Sequence, residues 1–538
     1  MASAVKGMKV PSAQGAFVKR SAVPPVSMPR SVFDLSKGHK TSLDSGLVVP
    51  LYVEEVLPGD TFRLRVTLLM RLATLLYPLM DNMYVDVHFF FCPWRLVWTN
   101  TEKFFGQQDN PGDSTSYTIP QFTASLTSNL LGVADYFGIN MYGATNRQFN
   151  ALQFRAYRRI WNEWYRDENL QNSVAVSYGD GPDSQVGNMD VLPRNKRGDY
   201  FTLALPWPQK GATPVSFLPD NVAVSSTLTP FNVQVRAITA ADKTLVNSVG
   251  LGGQINLSGA DLASGGNSLS FGTNTGLEVD FATLGIATIN AFRQANAMQT
   301  YLERQARGGT RFPEHLKGQW GVTSSDARLQ RTEYLGGGSA PVIVSPIAQV
   351  SAKTPNTNSL GDLGGVGAVA HHGAGFVKSF EEYGYVFGMV SVRADLNYQA
   401  GIPRQFKRRT VYDVANPAFA HIGEQPVYNY EIWYQGESTD NPNGVFGFQE
   451  RYAEYKQSYS MLTGNMRSQA AASYDVWHVA QEFGALPTLG DTFIRENPAV
   501  DRVVATPFTD QWILDSHFEV RVARCLPLWG IPGLAGRF

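Results

Sequence analysis

Tyr77–Trp98 reads YPLMDNMYVDVHFFFCPWRLVW. It sets three consecutive phenylalanines, two tryptophans, two tyrosines and two prolines against three charged side chains. Within it Val85, Val87, Phe89 and Phe91 alternate with Tyr84, Asp86, His88 and Phe90. Side chains of a β-strand point to opposite faces with period two, so one face is wholly apolar and the other mixed. The apolar face predicts a strand lining the core of a β-sandwich. The mixed face predicts a place at an interface or under a loop.

The same alternation recurs along the chain. LVVPLYVEEVL (Leu47–Leu57) ends at Pro58-Gly59-Asp60, a turn signature. In TFRLRVTLL (Thr61–Leu69), Phe62, Leu64, Val66 and Leu68 share one face and Arg63 and Arg65 the other. In QWILDSHFEVRVARCL near the end, Trp512, Leu514, Phe518, Val520 and Val522 oppose Asp515, His517, Glu519 and Arg521. YGYVFGMVSVRADL (Tyr383–Leu396) and VYNYEIWY (Val427–Tyr434) also read as strands. Strands near both ends, with helices and long loops between, predict one sandwich with elaborate connections.

Two segments carry helical periodicity instead. RQFNALQFRAYRRIWNEWYRDENL puts Phe149, Leu152, Ala156, Tyr157, Ile160, Trp161 and Trp164 on one stripe, with Arg155, Arg158, Arg159 and Arg166 largely off it. TINAFRQANAMQTYLERQARGG does likewise with Ile289, Phe292, Leu302 and Ala306, and ends at Gly308-Gly309, a C-cap signal. Both stripes are expected to be core. Between them, residues 209–283 hold only eight charged side chains and are rich in Ser, Thr, Asn, Gly and Ala. The short pieces FNVQVRAI, QINLS, SLSFG and LEVDF predict a β-rich surface insertion with its own small fold, and such insertions often carry recognition. Residues 335–375 are rich in Gly, Pro and Ser and read as loop.

Composition narrows the function. Charged residues are 17% of the 538-residue chain, and the formal net charge is −1. An average domain holds roughly 25% charged residues. Such a chain cannot hold nucleic acid by overall charge, so any such binding is local or assisted by other cations. Two cysteines, Cys92 and Cys525, exclude a disulfide framework and a Cys-rich zinc site, and are expected as plain buried thiols in a reducing compartment. MASAVKGMKVPSAQGAFVKR has no apolar core of a secretory signal, and no apolar run of about 20 residues predicts a membrane span.

No phosphate-binding loop, dinucleotide fingerprint, zinc-protease helix, nucleophile elbow or EF-hand occurs, and no cofactor is implied. GGGSAP around Ser339 lacks the trailing glycine of an elbow. His371-His372 has no evident third ligand, and neighbours on a strand face opposite ways, so no metal site is expected. Two basic regions remain. Residues 1–40 carry Lys6, Lys9, Lys19, Arg20, Arg30, Lys37 and Lys40 against Asp34 and read as an extended arm, either solvated or lying on a neighbour or nucleic acid. In IPRQFKRRTVYD, Arg404, Lys407, Arg408 and Arg409 flank Phe406. Cations for phosphates beside aromatics for bases suit single-stranded nucleic acid, while a solvated run or an intersubunit salt-bridge patch is the plainer reading.

Longer stretches then become familiar. VEEVLPGDTF, LATLLYPLMDNMYVDVHFFFCPWRLVW, ARGGTRFPE, SSDARLQRTEYLGGGS, SVRADLNYQ, HIGEQPVYNYEI, FGFQERYAEYK, ALPTLGDTFI, DVWHVAQ and the final PGLAGRF resemble the major capsid proteins of gokushoviruses, small single-stranded DNA phages of the microvirus family. The resemblance runs from about Ser31 to Phe538 and is weakest over 209–283, the part most variable in that family.

The resemblance implies an all-β-dominated fold, an eight-stranded antiparallel jelly roll with long inter-strand loops, a few helices and a β-rich surface insertion. It implies a 1–40 arm, a jelly-roll core split into 41–208 and 284–538, and 209–283 as a protrusion at each three-fold axis that meets a host cell surface receptor. It implies a T=1 icosahedral homo-oligomer around a circular single-stranded DNA genome, assembled in the bacterial cytoplasm and found in the virion. An internal scaffolding protein, a small basic DNA-binding protein and a minor pilot protein are the implied partners. The Trp94 and Trp98 end of the opening stretch is then expected near loops and subunit contacts. Lys6, Lys9, Lys19, Arg20, Arg404, Lys407, Arg408 and Arg409 become candidate inner-surface or DNA contacts. A jelly-roll module binding a carbohydrate or receptor is the alternative. A β-rich hydrolase would need paired carboxylates in a cleft.

Overall fold

The alternating segments become two antiparallel sheets. Their strands are, in chain order, β1 (Ser31–Asp34), β2 (Lys37–Leu43), β3 (Val49–Val56), β4 (Thr61–Leu72), β5 (Met83–Pro93), β6 (Glu333–Pro341), β7 (Ile343–Ala348), β8 (Leu363–Ser379), β9 (Gly384–Ala394) and β10 (Trp512–Arg524). One sheet has the order β1-β10-β4-β8-β7, with β2 also pairing β10; the other has the order β6-β5-β9-β3. This computed structural model describes residues 30–124, 132–140, 147–183, 189–211, 224–226, 233–236, 243–244, 268–271, 277–279, 289–348, 363–436, 441–507 and 509–529. The chain divides into two compact units, Met1–Pro208 with Val322–Phe538, and Gln209–Gly321. Both sheets lie in the first, which is strand-rich with few helices, so the all-β expectation holds.

The inward residues of both sheets form one core, and within the first sheet they line up across the ladder. Leu64 pairs across the ladder with Val520, Val66 with Phe518, Met70 with Leu514 and Leu72 with Trp512. All are buried, while Arg63, Arg65 and Arg71 on the other face of β4 are exposed. Val85, Val87, Phe89 and Phe91 of β5 enter the same core, as the alternation predicts. Burying one large apolar side chain contributes about 1.5–3 kcal/mol, so this layer dominates the stability of the unit.

The reading of 335–375 as loop is corrected. This stretch supplies most of β6, all of β7 and much of β8, with residues 349–362 outside the described residues. Its glycines answer to crowding across the ladder. A side chain at Gly337 would place its Cβ 2.3 Å from the Val87 carbonyl oxygen, and one at Gly338 would meet the His371 ring at 2.7 Å. Neither position admits a side chain without a shift, so the glycines mark close approach rather than a turn. VYNYEIWY is also corrected: a short strand, Glu424–Tyr428, ends there and a helical turn, Asn429–Ile432, follows.

A helix covers the second face of β5 around Phe90 and Cys92, where a loop or an interface was expected. Helix α1 (Leu152–Trp164) packs Phe154, Ala156, Tyr157, Ile160 and Trp161 into one cluster with Phe90 and Cys92 of β5 and Tyr385, Phe387 and Met389 of β9. Every residue of β9 is therefore buried. Trp94 and Trp98 belong to this cluster beside loop residues: the Trp98 indole N–H donates to Asp180 at 2.7 Å, and the Trp94 ring stacks on Phe105. Arg155 and Arg158 do not lie off the buried stripe. Arg155 is enclosed because its Nε and Nη2 donate to the two Asp183 carboxylate oxygens at 2.7 and 2.6 Å, and Nη1 donates to the Val97 carbonyl. Ile160→Val removes one methylene from this seam and is expected to lower subunit stability by about 1 kcal/mol. A urea midpoint unchanged from wild type would contradict the packing.

The second unit, Gln209–Gly321, holds short antiparallel pairs and two helices. Val224–Ser226 pairs with Leu277–Val279, and Val233–Arg236 pairs with both Lys243–Thr244 and Ser268–Phe271. QINLS lies outside the described residues. Helix α2 (Ile289–Gly308) stops where the glycine pair predicts, and Gly309, at φ +95°, donates its N–H to Gln305. Its stripe is only partly core: Ala306 is buried, but Phe292 is exposed. Helix α3 (Phe312–Trp320) follows.

Candidate nucleic-acid interface

A third apolar cluster, built on Tyr200, Phe201, Tyr398, Ile432 and Trp433, supports the segment that carries the basic run. Glu424–Tyr428 pairs antiparallel with Val445–Glu450, and the helical turn after it starts where the Tyr428 N–H donates to Glu431 Oε1 at 2.9 Å. That reciprocal bond ends the strand and turns Glu431 inward, where its side chain is 1% exposed. Pro403 precedes a 3-10 turn, Arg404–Lys407, which brings the cations over this turn.

The structure brings all four cations of the run to one cleft of about 370 Å³, with Tyr428, Tyr430 and Asp413 also in its wall. They do not have the same role. Arg404 Nη1 donates to Glu431 Oε1 at 3.1 Å and to the Pro426 carbonyl at 2.7 Å, and its Nε lies 3.7 Å from Glu454. Arg408 lies 3.4 Å from Glu454 and over the Tyr455 ring at 4.3 Å. Lys407 Nζ lies 5.6 Å from the Tyr430 ring centroid and 5.2 Å from that of Tyr434. Arg409 is exposed, and its backbone N–H donates to Asp413 at 3.0 Å. Phe406 points outward, away from any stacking role inside the cleft, and is 71% exposed.

Electrostatics follow from these contacts. Burial pushes the Glu431 carboxyl above its ordinary range, against the opposing pull of Arg404, the Tyr428 N–H and the Tyr200 hydroxyl, which donates at 2.9 Å. Backbone N–H groups of Thr410 and Arg409 hold Asp413 below the usual range. The Tyr428 and Tyr430 rings stack at 5.5 Å and 15°. The cleft therefore offers ammonium and guanidinium groups beside flat aromatic faces, the pairing that accommodates phosphates and bases of a single strand.

Tyr428, Tyr430, Glu431 and Glu454 were not singled out from the sequence. The only local signal was the Tyr-x-Tyr spacing in VYNYEIWY, which looks like any strand face. Lys6, Lys9, Lys19 and Arg20 lie outside the described residues. His372 is exposed and its Nδ1 lies 2.8 Å from the Thr67 hydroxyl, whereas His371 points to the side of Gly338. Among the described residues no three metal-ligating side chains converge. Cys92 is buried and burial pushes its thiol up; Cys525 is half-buried rather than enclosed as expected.

The family model described as capsid protein (F protein) matches residues 21–534. Capsid protein VP1 of Bdellovibrio phage phiMH2K is 40% identical over 530 residues, covering 96% of this chain and 97% of the relative. Capsid protein VP1 of Chlamydia phage 1 is 38% identical over 602 residues, covering 98% and 99%. Capsid protein VP1 of Spiroplasma virus 4 is 33% identical over 537 residues, covering 94% and 96%.

Proposed function

The chain belongs to the phage capsid protein (F protein) family, and from that premise we propose that its copies close into a T=1 icosahedral shell around a circular single-stranded DNA genome. Self-association and a place in the virion come with the family itself; the copy number and the nature of the genome rest on the gokushovirus resemblance. The observation that carries the reading is end-to-end similarity to capsid proteins of three phages. Without β1 and β2, each sheet has four antiparallel strands, which supports an eight-stranded jelly roll. Shell stability then arises from closing many heterologous contacts, each modest alone. Electron microscopy of the protein, expressed alone and with its neighbouring phage genes, tests this. Closed particles in either sample support the shell; only monomers or small rings in both overturn it.

The cleft cations fit a contact with packaged DNA on the inner surface, joined by the 1–40 arm with Lys6, Lys9, Lys19 and Arg20. Arg409, which is exposed and makes no ion pair among the described residues, is the candidate phosphate contact of this run. A chain at net charge −1 cannot neutralise a genome, which supports a small basic protein as a further partner. An internal scaffolding protein, a minor pilot protein and assembly in the host cytoplasm complete the reading.

Residues 209–283 are proposed as the three-fold protrusion that meets a host receptor. Their low charge and their membership of a separate compact unit support this. Replacing them with a short linker is expected to leave the first unit folded, with its thermal transition intact, while infection falls at least tenfold. Collapse of the whole chain on that replacement would refute the assignment.

A further inference from the structure

The segment after the basic run forms a stiff arm with an apolar exterior. Phe406, Val411, Tyr412, Val414 and Ile422 are between 52% and 73% exposed. Scattered exposed apolar side chains are ordinary, but five within one ordered segment concentrate apolar surface there. The order is built in. A 3-10 turn at Val411–Asp413 is closed by reciprocal bonds between Thr410 and Asp413, with the Thr410 hydroxyl donating at 2.9 Å. A second turn, Pro417–Phe419, is capped by the Asn416 side chain, which accepts from the Ala418 N–H. The Tyr412 and Phe419 rings meet at 5.0 Å, and Arg451 donates to the Tyr412 carbonyl at 2.6 Å.

Arg404 and Arg408 turn toward Glu431, Glu454 and the Tyr455 ring, so they tie the arm to the body. Outward the segment shows its five apolar side chains, with Arg409 exposed among them. A nucleic acid would use the exposed Arg409, whereas the apolar side chains offer it no charge. A protein surface fits, and in a chain of a capsid family the protein surface present at high density is another copy. The same unit also exposes apolar side chains at a different place, Leu69 and Ile513 on the outer face of β4 and β10 and Val377 on β8. A heterologous contact needs two such unlike apolar surfaces on one chain.

We propose that the Phe406–Ile422 arm is a clasp that seats its apolar face on a second copy of this chain. This rests on the shell reading, and its test separates the two. The double variant Val411→Asp/Ile422→Asp is expressed as the full chain with the neighbouring phage genes, beside wild type. Folding is checked by the thermal transition; if the double aspartate unfolds, Val411→Thr/Ile422→Thr replaces it. The expected result is a folded subunit whose yield of closed particles falls at least tenfold. Closure at the wild-type yield overturns the clasp. Normal closure with loss of packaged DNA or of host attachment also overturns it, and assigns the arm to those partners. Failure of wild type to close any particle overturns the shell reading instead. Sedimentation at rising concentration then decides the clasp: association of wild type but not the variant supports it, and equal behaviour overturns it.

Discussion

Arg404→Ala is expected to lower the stability of the isolated subunit by about 3–5 kcal/mol, whereas Arg409→Ala should stay within about 0.5 kcal/mol of wild type. The two residues sit in one basic run, and the difference is a matter of partners. Arg404 is 11% exposed and faces Glu431, itself 1% exposed, at 3.1 Å. Removing the guanidinium leaves a buried carboxylate whose remaining hydrogen-bond partners among the described residues are the Tyr200 hydroxyl and the Tyr428 N–H. Burial already pushes that carboxyl up, so the variant takes up a proton there or unfolds. Arg409 is exposed and makes no ion pair among the described residues, so its loss leaves no buried charge. The measurement is a pair of urea titrations on the two variants. The double variant Arg404→Ala/Glu431→Ala should recover a large part of the loss, because it removes the orphaned charge together with its partner. Equal midpoints for Arg404→Ala and wild type would sink the structural role. Packaged DNA per particle gives the second readout: Arg409→Ala lowers it if the cleft touches the genome, and unchanged DNA content would sink that contact.

Asp86→Ala should be of similar size, about 3–5 kcal/mol, and should also flatten the response to acid. Asp86 lies on the polar face of β5, with Arg194 at 2.6 Å and Arg393 at 3.0 Å, both well buried. Arg393 also lies over the Tyr84 ring at 4.3 Å, and Arg194 bonds the Ser391 hydroxyl at 2.6 Å. Without the carboxylate, two guanidinium groups face each other inside the unit. Burial, the largest influence, raises the Asp86 carboxyl; Arg194, the Ser339 hydroxyl and Arg393 together outweigh it and hold the group below its ordinary value. A carboxyl depressed in the folded state contributes stability above its unfolded value and loses it as pH falls through the folded value. Wild type should therefore weaken more steeply than Asp86→Ala as pH drops below about 4, where an unfolded aspartate takes up its proton. Parallel loss in both proteins across that window would show that the network carries no acid sensitivity.

Much of the architecture was readable wherever burial repeats with the period of the backbone. β4, the core face of β5 and β10 alternate along their lengths, and α1 and α2 carry apolar stripes, because each side chain there reports only which side of its own element it is on. β6 and β8 escaped, since glycine reads as a turn residue from its neighbours in sequence. Here it answers to the Val87 carbonyl and the His371 ring on other strands. Arg155 escaped for the same reason: Asp183, which makes its burial tolerable, is not within one turn of α1.

The candidate site divides along the same line. The amino-acid sequence by itself determined a strand-rich chain of the capsid family, and that Arg404, Lys407, Arg408 and Arg409 fall within one short segment, because these follow from local pattern and residue type. Only the tertiary structure decided that Arg404 and Arg408 are consumed by Glu431 and Glu454, that Tyr428 and Tyr430 share the cleft, and that Val411, Tyr412 and Ile422 stay exposed beside it. Charge pairing and burial depend on distances between residues far apart in sequence, and those distances exist only once the chain has folded.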